Sequence, residues 1–484
     1  MSELIPEADL AVAASNAASH EPTKGLSRGA AAWAVFEGAR NPYVILITIY
    51  IFMPYFAAVV VGDPVKGQEA VAAYGQYSGW IVMVTAPFLG ASIDKIGRRK
   101  GWLALVVGLM VPLIWALWFT TPDGKGLSVG AVIAIATVIA VLFSYSEVLH
   151  NSLLVRAAGL GDAHKASALA LALGNAFALA ALAFTAWAFA LPGKVSWGWV
   201  PAAPLFGLNP ALHETDRIVA PIAATIFALG AIPLFLFTPD APKSGVPLLA
   251  AVRGGARDLV RMVMTMKNYR DAAIFLTSRM FYVDGMTAVL LFTGVYASGV
   301  MHFNALSLLF YGIILTVLAV FGGFVGGWLD AALGAKRSVQ VEIGMSLIGI
   351  FAILGMAPDR ILFFWRFDAA AHAPLWNGPF FRTLPELIFL LIGFSNATFI
   401  TAHYASSRTL LTRLTPPDQT GTFFGVYALS GTATVWLGSF LVNLGTHLFH
   451  SQQGGFAMIA VLLAFGFVGL MFVRGDGRTA LERR

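Results

Sequence analysis

Apolar residues along this chain fall in long runs separated by short polar stretches. The runs are Trp33–Val61, Ala72–Ile93, Gly101–Phe119, Val129–Leu153, Ala166–Leu191, Ile218–Thr238, Asp271–Ser298, Leu306–Leu329, Val339–Met356, Pro385–Ala405, Phe423–Leu444 and Gly455–Val473. A helix rises 1.5 Å per residue, so runs of roughly twenty residues cross a hydrocarbon layer of about 30 Å. Nothing in them alternates with period two over a strand's length. The pattern predicts an all-α membrane protein of twelve transmembrane helices.

One polar signature is written twice, half a chain apart. Gly90-Ala91-Ser92-Ile93-Asp94-Lys95-Ile96-Gly97-Arg98-Arg99-Lys100 separates the second and third runs. Gly326-Gly327-Trp328-Leu329-Asp330, followed by Gly334, Lys336 and Arg337, separates the eighth and ninth. Shorter echoes keep the same offset of six. Arg40-x-x-Tyr43-Val44 in the first run matches Arg279-x-x-Tyr282-Val283 in the seventh, and Leu153-Leu154-Val155-Arg156 after the fourth matches Leu410-Leu411-Thr412-Arg413 after the tenth. Duplication in a polytopic chain predicts two pseudo-symmetric six-helix bundles around a central site, as in secondary transporters. The expected division is a cytoplasmic tail over 1–30, a first bundle over 31–238, a linker over 239–270, a second bundle over 271–473 and a short tail over 474–484. Within the linker, Arg253, Arg257 and Arg261 recur every fourth residue opposite Leu259, Val260, Met262, Val263 and Met266. That spacing suits an amphipathic helix, either on the membrane surface or solvated.

Composition agrees. The 484 residues are 58% hydrophobic and only 12% charged, against roughly 25% charged in soluble domains. The net charge of +6 reads as topology and not as a nucleic-acid surface. With a cytoplasmic N-terminus, every Lys and Arg except Lys66, Lys125, Lys194, Arg217, Arg360, Arg366, Arg382 and the span-buried Arg279 falls on the cytoplasmic side. This asymmetry predicts a multi-pass protein of the cytoplasmic (inner) membrane with both termini inside. The first thirty residues open with Glu3, Glu7 and Asp9 and lack the features of a signal peptide. There is no cysteine, no Walker motif, no Gly-x-Ser-x-Gly and no His-Glu-x-x-His, which argues against an enzyme. No cofactor or metal is expected. The expected partners are a small-molecule substrate, protons and membrane lipid, around a monomer.

The Gly-x-x-x-Asp-x-x-Gly-Arg-Arg-Lys signature between the second and third spans resembles the major facilitator superfamily. Four stretches are similar to its vacuole-effluxer-like group, whose best-known members export amino acids. These are Phe36-Glu37-Gly38-Ala39 running to Phe52-Met53-Pro54-Tyr55-Phe56, Phe281-Tyr282-Val283-Asp284-Gly285, Ser407-Arg408 with Arg413 and Pro416, and Phe423-Phe424-Gly425-Val426-Tyr427 with Ser430-Gly431. The chain departs from that group at Glu37, where Asp is usual, at Gly38, where Trp is usual, and at Arg40 and Asn41, which replace small polar residues. The resemblance implies a transporter and suggests export.

Ionisable groups within spans cost roughly 2.5–3.5 kcal/mol each on insertion scales, so each needs a partner or a task. Asp284 lies near mid-depth of the seventh span and is the leading candidate for proton coupling. Glu37, Glu147 and His150 complete that set. Glu37 and Arg40, like Glu147 and His150, are spaced i, i+3 and can pair. Arg40, Tyr43, Arg279, Tyr282 and His403 are the candidate substrate-binding residues, two arginines favouring an anionic or zwitterionic cargo. Asp94, Arg98, Asp330, Arg337 and Arg408 are the candidate gating residues. The expected function is proton-coupled movement of an amino acid or similar metabolite by alternating access. A multidrug or lipid-like carrier is the alternative.

Overall fold

The computed structural model describes residues 26–242, 244–415 and 420–475. Some side chains within its helices, Asp94 among them, also lie outside the described set. Among the described residues, eleven helices are long and apolar enough to cross a membrane. The second span, Pro64–Ile96, is more polar and supplies the twelfth. The others are Arg28–Val60, Lys100–Phe119, Val129–Ser152, Lys165–Ala190, Glu214–Phe237, Arg270–Gly299, Ala305–Leu333, Ala335–Leu354, Leu384–Leu414, Phe423–Phe449 and Gln452–Met471. The first helix therefore begins at Arg28, inside the stretch expected to be tail.

Local chemistry sets the helix ends. Asp63 accepts from the Lys66 amide and Pro64 follows it at the first helical position, where a missing N–H costs nothing. Ser128 and Asn304 cap the fourth and eighth spans, and Thr383 with Glu386 forms a capping box on the tenth. The duplicated signature stops the second and eighth helices in the same way. Gly97 has φ +90° and Gly334 φ +83°, values that a Cβ disfavours.

Helix pairing repeats with an offset of six. In the first bundle the first span packs on the fifth and sixth, the fourth on the second and third, and the third on the sixth. In the second bundle the seventh packs on the eleventh and twelfth, the tenth on the eighth and ninth, and the ninth on the twelfth. The bundles meet where the first span faces the seventh, the second faces the eleventh, and the fifth faces the eighth. Gly29 accepts from Thr238 at the start of the linker, and the Gly475 amide donates to Asp271. Both described chain ends thus lie on the linker's side, here called proximal; the opposite side is distal. On the distal side the aromatic loop that follows the ninth span includes an antiparallel pair, Arg360–Ile361 with Trp365–Arg366.

The linker helix, Leu248–Thr265, packs along the proximal end of the second span, where Lys95 and Asp258 pair at 2.7 Å. Its outward face mixes exposed Arg253 and Arg257 with exposed Val260, Val263 and Met264.

Candidate functional site

Two spans that reach the bundle boundary are not regular helices. The first changes at Tyr43 into a wide π-helical segment that runs to Tyr50. Pro42 ends the preceding α-helix, and Pro54 follows a break at Ile51. The eleventh is split into Thr420–Thr432 and Leu437–Phe449, with turns between them.

The first bundle gathers a charged cluster around the proximal half of the first span, with Arg40 and His150 buried and Glu147 exposed. Arg40, 2% exposed, donates to Glu37 Oε2 at 2.6 Å and lies 3.6 Å from Glu147 Oε2. Its guanidinium sits 4.3 Å above the Phe143 ring and also donates to the Phe143 carbonyl. His150 stacks on Trp33 at 4.3 Å, and its Nε2 lies 2.9 Å from the Trp33 carbonyl. A carbonyl only accepts, so Nε2 must carry hydrogen. Nδ1 faces Glu37 Oε2 at 3.3 Å. That approach does not meet hydrogen-bond geometry, and Nδ1 has no hydrogen-bond partner among the described residues. The sequence paired His150 with Glu147. The fold brings His150 to Glu37 and leaves Glu147 beside Arg40.

The second bundle holds an analogous but uncoupled set. Arg279, 6% exposed, lies 3.5 Å over the Tyr427 ring and donates to the Tyr427 carbonyl and to Ser430, each at 2.7 Å. The ring's π-face and two oxygen acceptors compensate the cation without a carboxylate. Tyr427 also shares a 2.6 Å hydrogen bond with Ser407. Tyr282 meets His403 edge to face at 5.2 Å, and among the described residues neither its hydroxyl nor either ring nitrogen of His403 has a hydrogen-bond partner. Tyr43 is buried against Phe143.

Asp284 pairs with neither arginine. Its Oδ2 accepts from the Gly438 amide at 2.6 Å, the second residue of the helix that resumes the eleventh span. A carboxylate from the seventh span thereby does what an N-cap side chain does, on a helix N-terminus whose dipole favours negative charge. A Cβ on Gly438 would stand 3.2 Å from Asp284 Oδ1, so glycine permits the approach. Gly285 likewise leaves room for Leu462 and Leu463 of the twelfth span.

The distal half of the boundary is closed by hydrogen bonds. Gln68 donates to Thr446 at 2.7 Å and to the Gln452 carbonyl at 3.1 Å, and Asn443 donates to Gln76 at 3.2 Å. Gly79 lies against the Trp436 backbone, where a Cβ would come within 2.5 Å of Cα. On the proximal half, Glu147 of the fourth span and Tyr404 of the tenth are both exposed, and the first half of the eleventh span packs on the second.

Asp94, and with it the expected pairing to Arg98, lies outside the described side chains, and the described gating candidates are not gathered into ion pairs. Arg98, Arg337 and Arg408 are exposed, and no described Asp330–Arg337 pair exists within 4 Å. Asp330 Oδ1 is buried without a hydrogen-bond partner. The amides of Arg99 and Lys100 are instead capped by Asp240, from the start of the linker. Sequence reasoning gave no role to Asp240, Gln68, Trp33, Tyr427, Ser430 or Glu342. Tyr427 and Ser430 lay within a stretch of family resemblance. Glu342, a lone carboxylate in an apolar run, carried the same signal that identified Asp284.

Two six-helix bundles with one pairing scheme, joined by polar distal contacts and carrying charged side chains within their spans, define a transporter of the major facilitator type. The chain belongs to the family described as vacuole effluxer Atg22 like, which matches residues 77–479. It is 20% identical over 455 residues to an uncharacterized MFS-type transporter, YxiO, of Bacillus subtilis (strain 168), covering 93% of this chain and 96% of that protein. A D-xylose–proton symporter shares the fold at TM-score 0.62 and 12% identity, over 92% of this chain and 97% of the symporter. The nucleoside transporter NupG does so at 0.57 and 12%, over 92% and 98%.

Proposed function

We propose that this protein moves a small organic solute across the cytoplasmic membrane by alternating access, coupled to protons at Asp284. The proximal side is the cytoplasm, by the Lys/Arg asymmetry of the loops. The observation that carries the coupling is the placement of Asp284. It is a buried carboxylate about 20 Å into the seventh span, with no described cation within ion-pair distance, and it holds the N-terminus of a half-helix that forms part of the distal seal. Proton uptake removes the negative charge that this N-terminus favours and loosens the tie. Proton release restores it. A charge change at Asp284 is thereby converted into a change at the far gate, which is what coupling requires.

Arg40 and Arg279 are compensated within their own bundles, so a cargo need not be strongly anionic to be accepted. A zwitterionic metabolite such as an amino acid, reaching Glu147 and Tyr404, fits the exposed groups. The test uses proteoliposomes, a trapped pH dye and a panel of labelled amino acids, sugars and organic acids. A cargo on the panel should accelerate proton movement, and Asp284→Asn should abolish the acceleration. Wild-type coupling in Asp284→Asn would refute the assignment, while apolar drugs alone driving flux would favour a multidrug carrier.

A further inference from the structure

Glu342, on the ninth span, is fully buried and takes no part in the proposal above. Ser406 of the tenth span donates to its Oε1 at 2.7 Å, and Oε2 has no hydrogen-bond partner. Among the described residues no cation pairs with Glu342: Arg279 of the seventh span, three residues before Tyr282, is turned to Tyr427 and Ser430, and Arg408 of the tenth is exposed. The tenth span brings Ser406 and, one turn away, His403; the seventh brings Tyr282. The eighth brings Asp330, which acts on Glu342 electrostatically. The twelfth carries no titratable residue between Gln452 and Met471. Lys336 and Arg337 of its own helix lie at the proximal end, where Lys336 donates to the Val473 carbonyl and Arg337 is exposed. Burying an ionised carboxylate with one hydroxyl donor and a neighbouring acid is costly, whereas a neutral acid needs only an acceptor for its own O–H. Unpartnered polar atoms stand close by, at Tyr282 and at both ring nitrogens of His403.

We propose that Glu342 is a proton-binding site enclosed within the second bundle, loaded when Ser406 donates to one carboxyl oxygen and the other carries the proton. The step is simple: the carboxylate takes one proton from water on the proximal side, and the O–H bond formed breaks to return that proton to water, restoring the carboxylate, when spans nine and ten part. No other bond changes. Loading also removes the repulsion between Glu342 and Asp330. Asp330 is the acidic residue of the second copy of the duplicated loop signature, so the site is linked to the proximal end of the eighth span. This site goes beyond the Asp284 reading and does not depend on it.

Infrared spectroscopy of the full chain in lipid nanodiscs at neutral pH tests the assignment without any cargo. Exposed carboxyl groups are ionised there, so carboxylic-acid carbonyl absorption reports enclosed acids. Glu342→Gln should remove one acid component, and Asp284→Asn should leave that component in place. Glu342→Asp, which keeps the acid on a shorter stem, should shift the component without abolishing it. Acid absorption identical to wild type in Glu342→Gln, or unmoved in Glu342→Asp, would overturn the proposal. A failure of proton coupling in the Asp284 experiment would leave this result unaffected.

Discussion

Arg40 shows how single residues meet the cost of charge inside a membrane. Glu37 and Glu147 both reach it, one at hydrogen-bond distance and one at 3.6 Å, so either can neutralise it when the other is lost. Glu37→Gln and Glu147→Gln should each be mild in denaturant unfolding. The double variant should cost about 3–5 kcal/mol, the range for an uncompensated buried charge, and exceed the sum of the singles. Additive losses would mean that Arg40 does not depend on this pair. Arg279 meets the same cost with an aromatic face and two oxygens, which a planar guanidinium fits and an ammonium does not. Arg279→Lys should therefore lower stability by about 1–2 kcal/mol, despite keeping the charge. Tyr427→Phe keeps the ring and carbonyl, loses only the Ser407 contact, and should cost about 1 kcal/mol. Thermal denaturation in one detergent compares the three proteins directly.

At the scale of elements, the broken eleventh span is the feature on which the coupling proposal turns. Its second half begins at Leu437, and its second amide is held from outside by Asp284. Gly438→Ala places a Cβ 3.0 Å from Ala288 Cβ and 3.2 Å from Asp284 Oδ1. Either the carboxylate or the helix start must yield, at the expense of a hydrogen bond worth about 1–3 kcal/mol. Proton-coupled flux should then fall toward that of Asp284→Asn while the protein still folds; undiminished flux would separate this contact from coupling. The twelve spans, the sixfold offset and the glycine stops at Gly97 and Gly334 were legible in the sequence, because long apolar runs and a repeated turn are local signals. The break in the eleventh span was not. Residues 433–436 read Ala-Thr-Val-Trp, with neither proline nor glycine among them, and the carboxylate that holds the start of the resumed helix comes from 154 residues away. His150 was likewise paired with the wrong glutamate. Spacing along one helix favoured Glu147, and only the packing of the first span on the fourth brings Glu37 closer.

For the whole molecule, alternating access requires that the distal contacts be strong enough to hold one state and weak enough to part. The seal between the second span and spans eleven and twelve rests on few polar bonds, Gln68 to Thr446 and Gln452, and Asn443 to Gln76. Each such bond contributes about 1 kcal/mol net, equivalent to about a fivefold change in the ratio of closed to open forms. The absence of native cysteine makes this ratio measurable. Thr293, 7% exposed, lines a small cavity between the bundles with Tyr50, Tyr311 and Asn396. Its side chain bonds only the Val289 carbonyl of its own helix, so Thr293→Cys is a mild probe. A membrane-impermeant maleimide supplied from the distal side should label that thiol slowly. Adding Gln76→Ala should raise the rate about fivefold, and Gln68→Ala, which removes two bonds, should raise it further. Proximal labelling should fall in step, because a two-state molecule that opens on one side closes on the other. Faster distal labelling without that reciprocal fall would mean that the substitutions merely loosen the seal, and the rocking of two rigid bundles would have to be abandoned for a local gate.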